Sequence, residues 1–562
     1  MRRLTPILVT TASLLFGYLL GEIFTTNHIN EQIDEKIIER IATQSENKLS
    51  EVLNLVNACY VEDVDTDSII EKCLPEILTE LDPHSVYIPK EDVEATNSEL
   101  ESSFSGIGIR FTIQEDTVNI SEIIRGGPSE MVGLLAGDRI IKVNDTLFVG
   151  KDVCTNEQAM KKLKGPKGTF VKLGIQRYGE PDLLDFVIRR DHVPVESIEA
   201  YYLIDNKWGY IQVERFAENT FAEFMQAMIE LAYSNAQGFI IDLRGKGGGY
   251  LGIALEMANQ FLDKNDLIVY TEGEHNGKKI EVANGHGMFR NAPLVILVDE
   301  TSASASEIIA GTIQDNDRGT IIGRRSFGKG LVQQPIKLKD GSLIRLTIAR
   351  YHTPSGRCIQ KPYSKGNKDE YEKDLIDRYN RGEFFSQDSI HQNENLTYKT
   401  KKGRTVYGGG GIMPDIFVSS DTTDTTPYAQ EAFARGLIAQ FSLKYSTANR
   451  HRFTQYRGYE ELEKRLDSEQ ILEKFIDFAK EKGLKPNKAN IAKSKKLLTR
   501  SLYSNIIYQL QGMREHVKFV NREDSTVLKA VDILEQGKAF PKIEKNDADK
   551  LSKNSIANGQ EM

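Results

Sequence analysis

The sequence predicts a multidomain protein of mixed α/β class, with helical regions on both sides of a β-containing core. Two apolar runs, Gly238-Phe-Ile-Ile-Asp242 and Pro293-Leu-Val-Ile-Leu-Val298, have the length and the β-branched content of buried strands. A β-rich stretch with closely spaced glycines precedes them at residues 99–192. Residues 30–97 and 425–540 instead place apolar side chains at helical spacing.

Composition limits the classes of function. A chain of 562 residues has room for about three or four domains. The 72 basic and 81 acidic residues give a net charge of −9 without a sustained basic stripe, so we expect no nucleic-acid partner. The four cysteines do not make a disulfide scaffold, and the nine histidines show no metal-ligand spacing. The sequence therefore predicts neither a metal nor a cofactor.

The first residues have the pattern of an export signal. Arg2 and Arg3 precede a mostly apolar run, so residues 1–24 are predicted to be a signal peptide or a signal anchor. A run of about 20 residues is just long enough to span a membrane. The positive-inside rule then puts the rest of the chain in the cell envelope, on the periplasmic side of the bacterial inner membrane. The membrane is thus a predicted partner.

The helical region at residues 30–97 alternates apolar and charged residues. Such a segment can pair two copies of the chain, so the sequence allows a homodimer. At the other end, residues 425–540 form a second predicted helical region, with Ile471, Phe475 and Phe478 on one apolar face. Residues 541–562 are charged and mostly polar, and we expect a disordered tail.

The β-rich stretch at residues 99–192 resembles a PDZ domain. The resemblance depends on three segments: Ser105-Gly106-Ile107-Gly108-Ile109, Gly126-Gly-Pro-Ser129 and Ala136-Gly-Asp-Arg-Ile-Ile-Lys-Val-Asn144. In that family a loop of glycines and apolar residues captures the terminal carboxylate of a peptide, which adds a strand to the sheet edge. The resemblance implies that Gly106, Ile107, Gly108 and Ile109 bind substrate, and that the partners are polypeptides with free C-terminal tails.

The stretch Val298-Asp-Glu-Thr-Ser-Ala-Ser304-Ala-Ser-Glu307 joins the second apolar run to a predicted helix. A serine at such a turn projects its hydroxyl, and the helix N-terminus beside it offers free N–H groups. An acyl-transfer enzyme needs these two parts, a nucleophile and a place for an oxyanion. The alternative is purely structural, because Ser304-x-x-Glu307 is also a capping box.

A candidate base follows in the segment Phe327-Gly-Lys329-Gly-Leu-Val-Gln333. No histidine lies in the turn of Ser304 or in the loop of Lys329. A lysine acts as a base only when its ammonium is destabilised, which lowers its pKa toward neutrality. The amide of Gln333 is placed to orient the amine. These residues predict a Ser-Lys dyad with a third, orienting group.

A glycine-rich loop supplies a further part. The first apolar run continues into Leu243-Arg244-Gly-Lys-Gly-Gly-Gly249, whose backbone N–H groups can bind an anion. A phosphate-binding loop is a weak alternative, because the Gly-Lys-Ser/Thr ending is missing. A second oxyanion donor is the better interpretation.

Together these segments resemble the C-terminal processing, or tail-specific, proteases. Further family motifs are Leu81-Asp-Pro-His-Ser85, Thr353-Pro-Ser-Gly-Arg357 and Gly409-Gly-Gly-Ile-Met-Pro-Asp415, and the resemblance covers about residues 45–420. It implies a serine protease core at residues 193–420, of mixed α/β fold. It assigns Ser304 as nucleophile, Lys329 as base, Gln333 as supporting group and Ala305 as oxyanion donor. Gly248 is the second donor, with Gly249 as the alternative.

The sequence thus predicts a serine endopeptidase that cleaves extended or unfolded cell-envelope polypeptides, recruited by their C-terminal tails. Two alternatives stay open. One is a Ser-His hydrolase in which His352 is the base. The other is a non-catalytic PDZ scaffold, although Ser304 and Lys329 are both present.

Overall fold

The computed structural model describes residues 47–98, 101–453 and 455–542. The chain divides into two compact units, residues 1–81 and 82–562. In the first unit, the described residues form two helices, α1 (Lys48–Cys59) and α2 (Thr66–Thr79), as the spacing predicts. Within the described ranges, no helix is long and apolar enough to cross a membrane. The predicted anchor at residues 1–24 and most of the predicted tail lie outside the described residues.

The second unit begins with a strand and a helix, followed by a β-rich region. These elements are β1 (Val86–Ile88), α3 (Lys90–Ser98), β2 (Ser103–Gly106), β3 (Ile109–Gln114), β4 (Thr117–Ile123), α4 (Pro128–Met131), β5 (Arg139–Val143), β6 (Thr146–Leu147), α5 (Asn156–Leu163), β7 (Phe170–Gln176), β8 (Leu184–Arg189) and β9 (Asp191–Pro194). The main sheet here is antiparallel, in the order β3-β4-β5-β7-β8 with β6 beside β5. β3 is therefore an edge strand of this sheet.

The central region alternates strands and helices. Its elements are β10 (Ala200–Ile204), β11 (Trp208–Gln212), α6 (Thr220–Tyr233), β12 (Gly238–Asp242), α7 (Leu251–Asn259), β13 (Leu267–Gly273), β14 (Gly277–Val282), β15 (Leu294–Val298), α8 (Ala305–Asp315), β16 (Thr320–Gly323), β17 (Leu331–Lys337) and β18 (Leu343–His352). The two apolar runs of the sequence are the strands β12 and β15, and every residue of both is buried.

The remaining elements are mostly helical. They are α9 (Lys368–Asn380), β19 (Thr397–Lys399), β20 (Thr405–Tyr407), β21 (Ile416–Phe417), α10 (Pro427–Ala434), α11 (Leu437–Phe453), α12 (Tyr459–Asp467), α13 (Ile471–Glu481), α14 (Lys488–Lys493), α15 (Lys495–Gln511), α16 (Met513–Asn521) and α17 (Ser525–Glu535). Short 3-10 turns occur at Gln387–Ser389 and Glu394–Leu396. The apolar face predicted from Ile471, Phe475 and Phe478 is buried in a core shared by these helices.

Two sheets build the central region. The core sheet has the order β10-β11-β12-β15-β16-β21 and is parallel except for β10. The second sheet is antiparallel, in the order β1-β18-β13-β14 with β17 paired to β18. The predicted mixed α/β class is confirmed.

Both faces of the core sheet are covered, because neighbouring side chains of a strand point to opposite faces. On one face, Phe239, Ile241 and Ile296 pack with the helices α6, α7 and α8. On the other face, Ile240 and Val295 share a core with Val517 of α16, and with apolar residues of α17. The last two helices therefore belong to the core layer. The helices α10 to α15 form a second hydrophobic core, to which Phe519 of α16 also belongs.

Candidate active site

The turn between β15 and α8 positions the predicted nucleophile. Ser304 immediately precedes α8 and has φ = 56° and ψ = −111°. A non-glycine residue with positive φ is strained, and such strain concentrates at functional sites. Ser304 lines a cavity of about 390 Å³ together with Ala305, Gly248, Lys329 and Gln333. The structure thus brings the sequence-predicted catalytic and oxyanion residues to one cavity.

The glycine-rich loop lies directly against this turn. The backbone N–H of Ala303 donates to the carbonyl of Lys246 at 3.0 Å, and the Ser306 hydroxyl donates to the same carbonyl at 3.3 Å. Gly248 faces Ser304, since a side chain at Gly248 would come within 2.7 Å of the serine Cβ. Gly249 instead lies against the carbonyl of Phe216. Of the two candidate donors, Gly248 is therefore the one beside the serine.

The first residue of α8 offers the other candidate oxyanion donor. The N–H groups of the first helical turn have no acceptor inside the helix. The N–H of Ala305 is the first of this turn, and Ala305 lines the same cavity as Ser304. A tetrahedral oxyanion formed at Ser304 would thus lie near two backbone amides, on Ala305 and Gly248.

Glu307 connects the serine turn to the lysine loop. Its carboxylate is fully buried and accepts four hydrogen bonds, from the N–H groups of Ser304, Gly328 and Lys329 and from the hydroxyl of Ser326. Burial raises the pKa of Glu307, although the four donors act in the opposite direction. This residue is more than a helix cap, because it fixes the backbone on both sides of the cavity.

The amine of Lys329 is held by the predicted supporting group. Lys329 Nζ donates to Gln333 Oε1 at 3.2 Å, and Gln333 Nε2 donates to the carbonyl oxygen of His84. Burial lowers the pKa of Lys329, and the positive charge of Arg345 lowers it further. In the described residues, no hydrogen bond joins Lys329 to Ser304. The charged form of Lys329 is thus destabilised, as a base requires, and its Nζ is hydrogen-bonded to Gln333.

The segment Asp82-Pro-His-Ser85, which lies far from Lys329 in the sequence, helps to hold this arrangement. Asp82 accepts hydrogen bonds from the N–H groups of His84 and Ser85, and from the hydroxyls of Ser85 and Thr347. The His84 ring lies 2.9 Å from the hydroxyl of Tyr371. Burial lowers the pKa of His84 to about 4, with the charge of Lys329 as the next cause. His84 is therefore neutral at physiological pH and acts here through its carbonyl.

The alternative base, His352, does not face the serine. Its ring stacks on Tyr270 with a centroid distance of 4.6 Å, and it lines a different cavity. Its neighbour on β18, Tyr351, points the other way and donates its hydroxyl to the carbonyl of Lys329 at 2.6 Å. Adjacent residues of a strand face opposite sides, so only Tyr351 reaches the site. The structure therefore places His352 outside the cavity of Ser304 and does not support it as the base.

The predicted tail-binding loop lies at one end of the edge strand β3. Gly106 ends β2, and Ile109 begins β3. Gly108 has φ = +80°, and a side chain there would come within 3.1 Å of Gly127. Ile107 is buried in the core of this domain. The loop and the free edge of β3 are thus adjacent, as strand addition by a peptide requires.

Sequence reasoning missed several residues of the site. The segment that contains His84 is a family motif that does not by itself indicate a role for His84, and the sequence around Glu307 predicts only a helix cap. Arg345 and Tyr371 were not singled out. The alternation of β18 could have indicated that Arg345 and Tyr351 share a face, but not what they face.

Parts of this chain are similar to known protein families. Models of three families match the chain: peptidase family S41 at residues 207–372, the PDZ domain at residues 97–176, and a family of unknown function, DUF8443, at residues 428–512. The third range coincides with the helices α10 to α15. The predicted resemblances to both named families are confirmed.

Curated relatives carry the same assignment. The carboxy-terminal processing protease CtpB of Bacillus subtilis is 34% identical over 56% of this chain and 65% of its own length. CtpA of the same organism is 33% identical over 59% of this chain and 69% of its own. The carboxy-terminal-processing protease of Bartonella bacilliformis is 32% identical over 61% of this chain and 76% of its own.

Among solved structures, the photosystem II D1 C-terminal processing protease is 24% identical, with a TM-score of 0.34. The match covers 66% of this chain and 92% of that one. The family assignment rests on the sequence matches to the family models and to the curated relatives. The chain therefore belongs to peptidase family S41, among the carboxy-terminal processing proteases of the serine type.

Proposed function

We propose that this chain is an endopeptidase that cleaves extended polypeptides with a Ser304–Lys329 dyad and recruits them by their C-terminal tails. One observation carries the proposal: both side chains line one cavity, and burial and a neighbouring cation lower the pKa of the lysine. A neutral amine beside a strained serine is suited to nucleophilic catalysis. The match to peptidase family S41 supports the same chemistry.

The acylation step follows from the placement of these groups. The neutral amine of Lys329 leaves Gln333 and accepts the proton of the Ser304 hydroxyl. The serine oxygen attacks the scissile carbonyl, and the amides of Ala305 and Gly248 stabilise the oxyanion. The lysine ammonium then gives its proton to the leaving amine. This step breaks the peptide bond and leaves an ester on Ser304.

Deacylation uses the same groups. Lys329, neutral again, accepts a proton from a water molecule that attacks the ester carbonyl. The oxyanion is held as before, and the proton returns to the serine oxygen as the ester breaks. The products are the N-terminal part of the substrate, with a new carboxylate, and the released tail.

The test is a comparison of two proteins on one unfolded polypeptide. Wild-type protein should release new peptides, detected by mass spectrometry, and Ser304→Ala should release none. The variant should keep its circular dichroism spectrum and melting temperature, since a side chain as small as serine is replaced in an existing turn. Equal peptide patterns from both proteins would show that Ser304 is not the nucleophile.

Tail recruitment gives a second prediction. Amidating the C-terminus of a substrate should weaken its cleavage several-fold, because amidation removes the negative charge that the loop from Gly106 to Ile109 would bind. The loss should appear mainly as a higher KM, since the tail lies away from the scissile bond. Equal cleavage of the free-acid and amidated peptides would remove the case for tail recognition.

A matched pair of variants tests the loop itself. Gly108→Ala puts a side chain at φ = +80° against Gly127 and should erase the difference between the two peptides. Gly133→Ala carries the same backbone strain at φ = +81°, but no atom of the described residues lies within 4 Å of its new side chain. This control should keep the preference for the free acid.

We also propose that residues 1–24 place the enzyme in the cell envelope, facing the periplasm. The support is the pair Arg2 and Arg3 before a long apolar run. In cell fractionation the protein should sediment with membranes and be digested by protease added to spheroplasts. Recovery in the cytosolic fraction would contradict the proposal. The homodimer stays a prediction.

A further inference from the structure

Among the described residues, the wall of the catalytic cavity contains a cation without an acidic partner. Arg345 lies on β18, opposite Pro335 of β17, and lines the cavity with Ser304 and Lys329. Lys329 and Arg345 are the charged side chains of this wall as described, and no acidic side chain accompanies them. When Lys329 is neutral, as catalysis requires, one positive charge therefore remains in the cavity.

The two carboxylates whose charges act on Lys329 already accept hydrogen bonds from other residues. Asp82 and Glu307 are the acids whose charges act on Lys329. Asp82 accepts four hydrogen bonds from residues 84, 85 and 347, and Glu307 accepts four from residues 304, 326, 328 and 329. In the described residues, neither acid bonds to Arg345. Its guanidinium also has no other hydrogen-bond partner there.

Several other partly buried arginines do have an acidic partner. Arg110, Arg244 and Arg404 each donate to a carboxylate. A guanidinium that is partly removed from water and left unpaired is unfavourable, unless a ligand completes it. Its planar fork matches a carboxylate with two parallel hydrogen bonds.

We propose that Arg345 binds a carboxylate of the polypeptide substrate in the catalytic cavity, so that the enzyme prefers substrates that bring an acidic group there. This inference rests on the proposed peptidase function. The carboxylate has two sources, an Asp or Glu side chain near the scissile bond or the chain terminus itself. In either case the bound acid pairs with Arg345, the cation of this cavity that has no acidic partner among the described residues.

Such binding has a consequence for the pH dependence. The groups around Lys329 are Arg345 on β18, Glu307 on α8, Asp82 and His84 before β1, and the Tyr351 hydroxyl. A substrate carboxylate on Arg345 offsets the positive charge that helps to lower the pKa of Lys329. Activity needs the neutral amine, so it should begin to rise at a higher pH for an acidic substrate than for its neutral isostere.

The test uses four peptides that differ only in one side chain and one end group. The side chain near the scissile bond is Glu or Gln, and the C-terminus is a free acid or an amide. Wild-type enzyme should cleave at least one acidic form about tenfold faster in kcat/KM than its neutral partner. Arg345→Gln should lose this preference, and Arg345→Lys should keep part of it, since the charge remains without the fork.

Arg350→Gln is the matched control. Arg350 lies on the same strand but lines the other cavity, beside His352. This variant should keep the wild-type preference. With the neutral, amidated peptide, Arg345→Gln should also start to act at a higher pH than wild type, because Lys329 has lost a neighbouring positive charge. A purely structural role of Arg345 would not move this pH profile.

The comparisons among these peptides and variants distinguish a side-chain carboxylate from a terminal one, and binding by Arg345 from binding by the tail-binding loop. If the Glu peptide is cleaved faster than the Gln peptide and only Arg345→Gln abolishes this difference, the carboxylate that Arg345 binds is that of an Asp or Glu side chain. If amidation slows cleavage, and if Gly108→Ala abolishes this effect while Arg345→Gln leaves it unchanged, the terminal carboxylate is bound by the tail-binding loop. That result, together with equal cleavage of the Glu and Gln peptides, overturns the proposal. Equal wild-type cleavage of all four peptides also overturns it, while the peptidase function stands.

Binding provides a readout without catalysis. In fluorescence anisotropy, Ser304→Ala should bind the acidic form that the wild-type enzyme prefers more tightly than its neutral partner, and Ser304→Ala/Arg345→Gln should not distinguish the two. Equal binding of both peptides and both termini by Ser304→Ala would overturn the proposal even if the wild-type protein cleaved nothing. Failure of the proposed function is recognised separately, as the absence of any difference in cleavage between wild type and Ser304→Ala.

Discussion

Lys329→Arg should be as inactive as Ser304→Ala, with kcat/KM lower by about three orders of magnitude or more. A guanidinium keeps its proton at any working pH, so it cannot accept the serine proton. Lys329→Ala should show the same loss, because a nucleophile and its base act as one unit. Steady-state cleavage of a quenched fluorescent peptide measures all three variants, and circular dichroism checks their folds.

His352→Ala is the matched control for this experiment. Its ring stacks on Tyr270 and lines a different cavity, so the variant should keep most of the activity. The wild-type rate should rise with pH as Lys329 loses its proton, beginning below the ordinary pKa of a lysine because burial lowers that pKa. Wild-type-like turnover by Lys329→Arg would contradict the assignment of Lys329 as the base. A loss of activity in His352→Ala as large as that in Ser304→Ala would contradict it as well.

Glu307→Gln should also lose most of its activity, although the two side chains have the same shape. Each carboxylate oxygen of Glu307 accepts two hydrogen bonds. A glutamine presents an NH₂ group to two of these donors, and each buried donor left without an acceptor costs about 1–3 kcal/mol. The turn of Ser304 and the loop of Lys329 should then separate, and kcat should fall by about a hundredfold or more.

The readout must distinguish misplacement from unfolding. The expected loss is in kcat, with KM little changed, because Glu307 lies behind the reacting groups. The rate at which a fluorophosphonate labels Ser304 should fall together with kcat, while the melting temperature of the variant stays above the temperature of the assay. Glu281→Gln, an exposed acid of β14, is the control and should behave as wild type. Normal kcat in Glu307→Gln would show that the carboxylate does not position the site.

The sequence was sufficient for the parts of the site that lie within short segments. Ser304 stands between an apolar strand and a helix, and Lys329 stands between two glycines, so the local patterns and the family resemblance together predict both. The strands β12 and β15 were equally clear, since parallel strands buried on both faces read as continuous apolar runs. These features need no knowledge of distant parts of the chain.

The rest of the site depends on tertiary packing. His84 lies far from Gln333 in sequence, and only the pairing of β1 with β18 brings that segment to the cavity. Arg345 is one of 72 basic residues, and nothing in its local sequence says that it lacks a partner. His352 illustrates the opposite case. It lies close to a family motif, but strand alternation turns it away from the serine.

The last two helices have a consequence for biosynthesis. The face of the core sheet that carries Ile240 and Val295 is covered by α16 and α17, which are made after every residue of the catalytic site. A parallel sheet needs both faces covered, so during translation the serine turn rests on an unfinished layer. We therefore expect a nascent chain to gain proteolytic activity only when residues 513–535 have emerged. The enzyme would thus be unable to digest neighbouring proteins until the end of its synthesis.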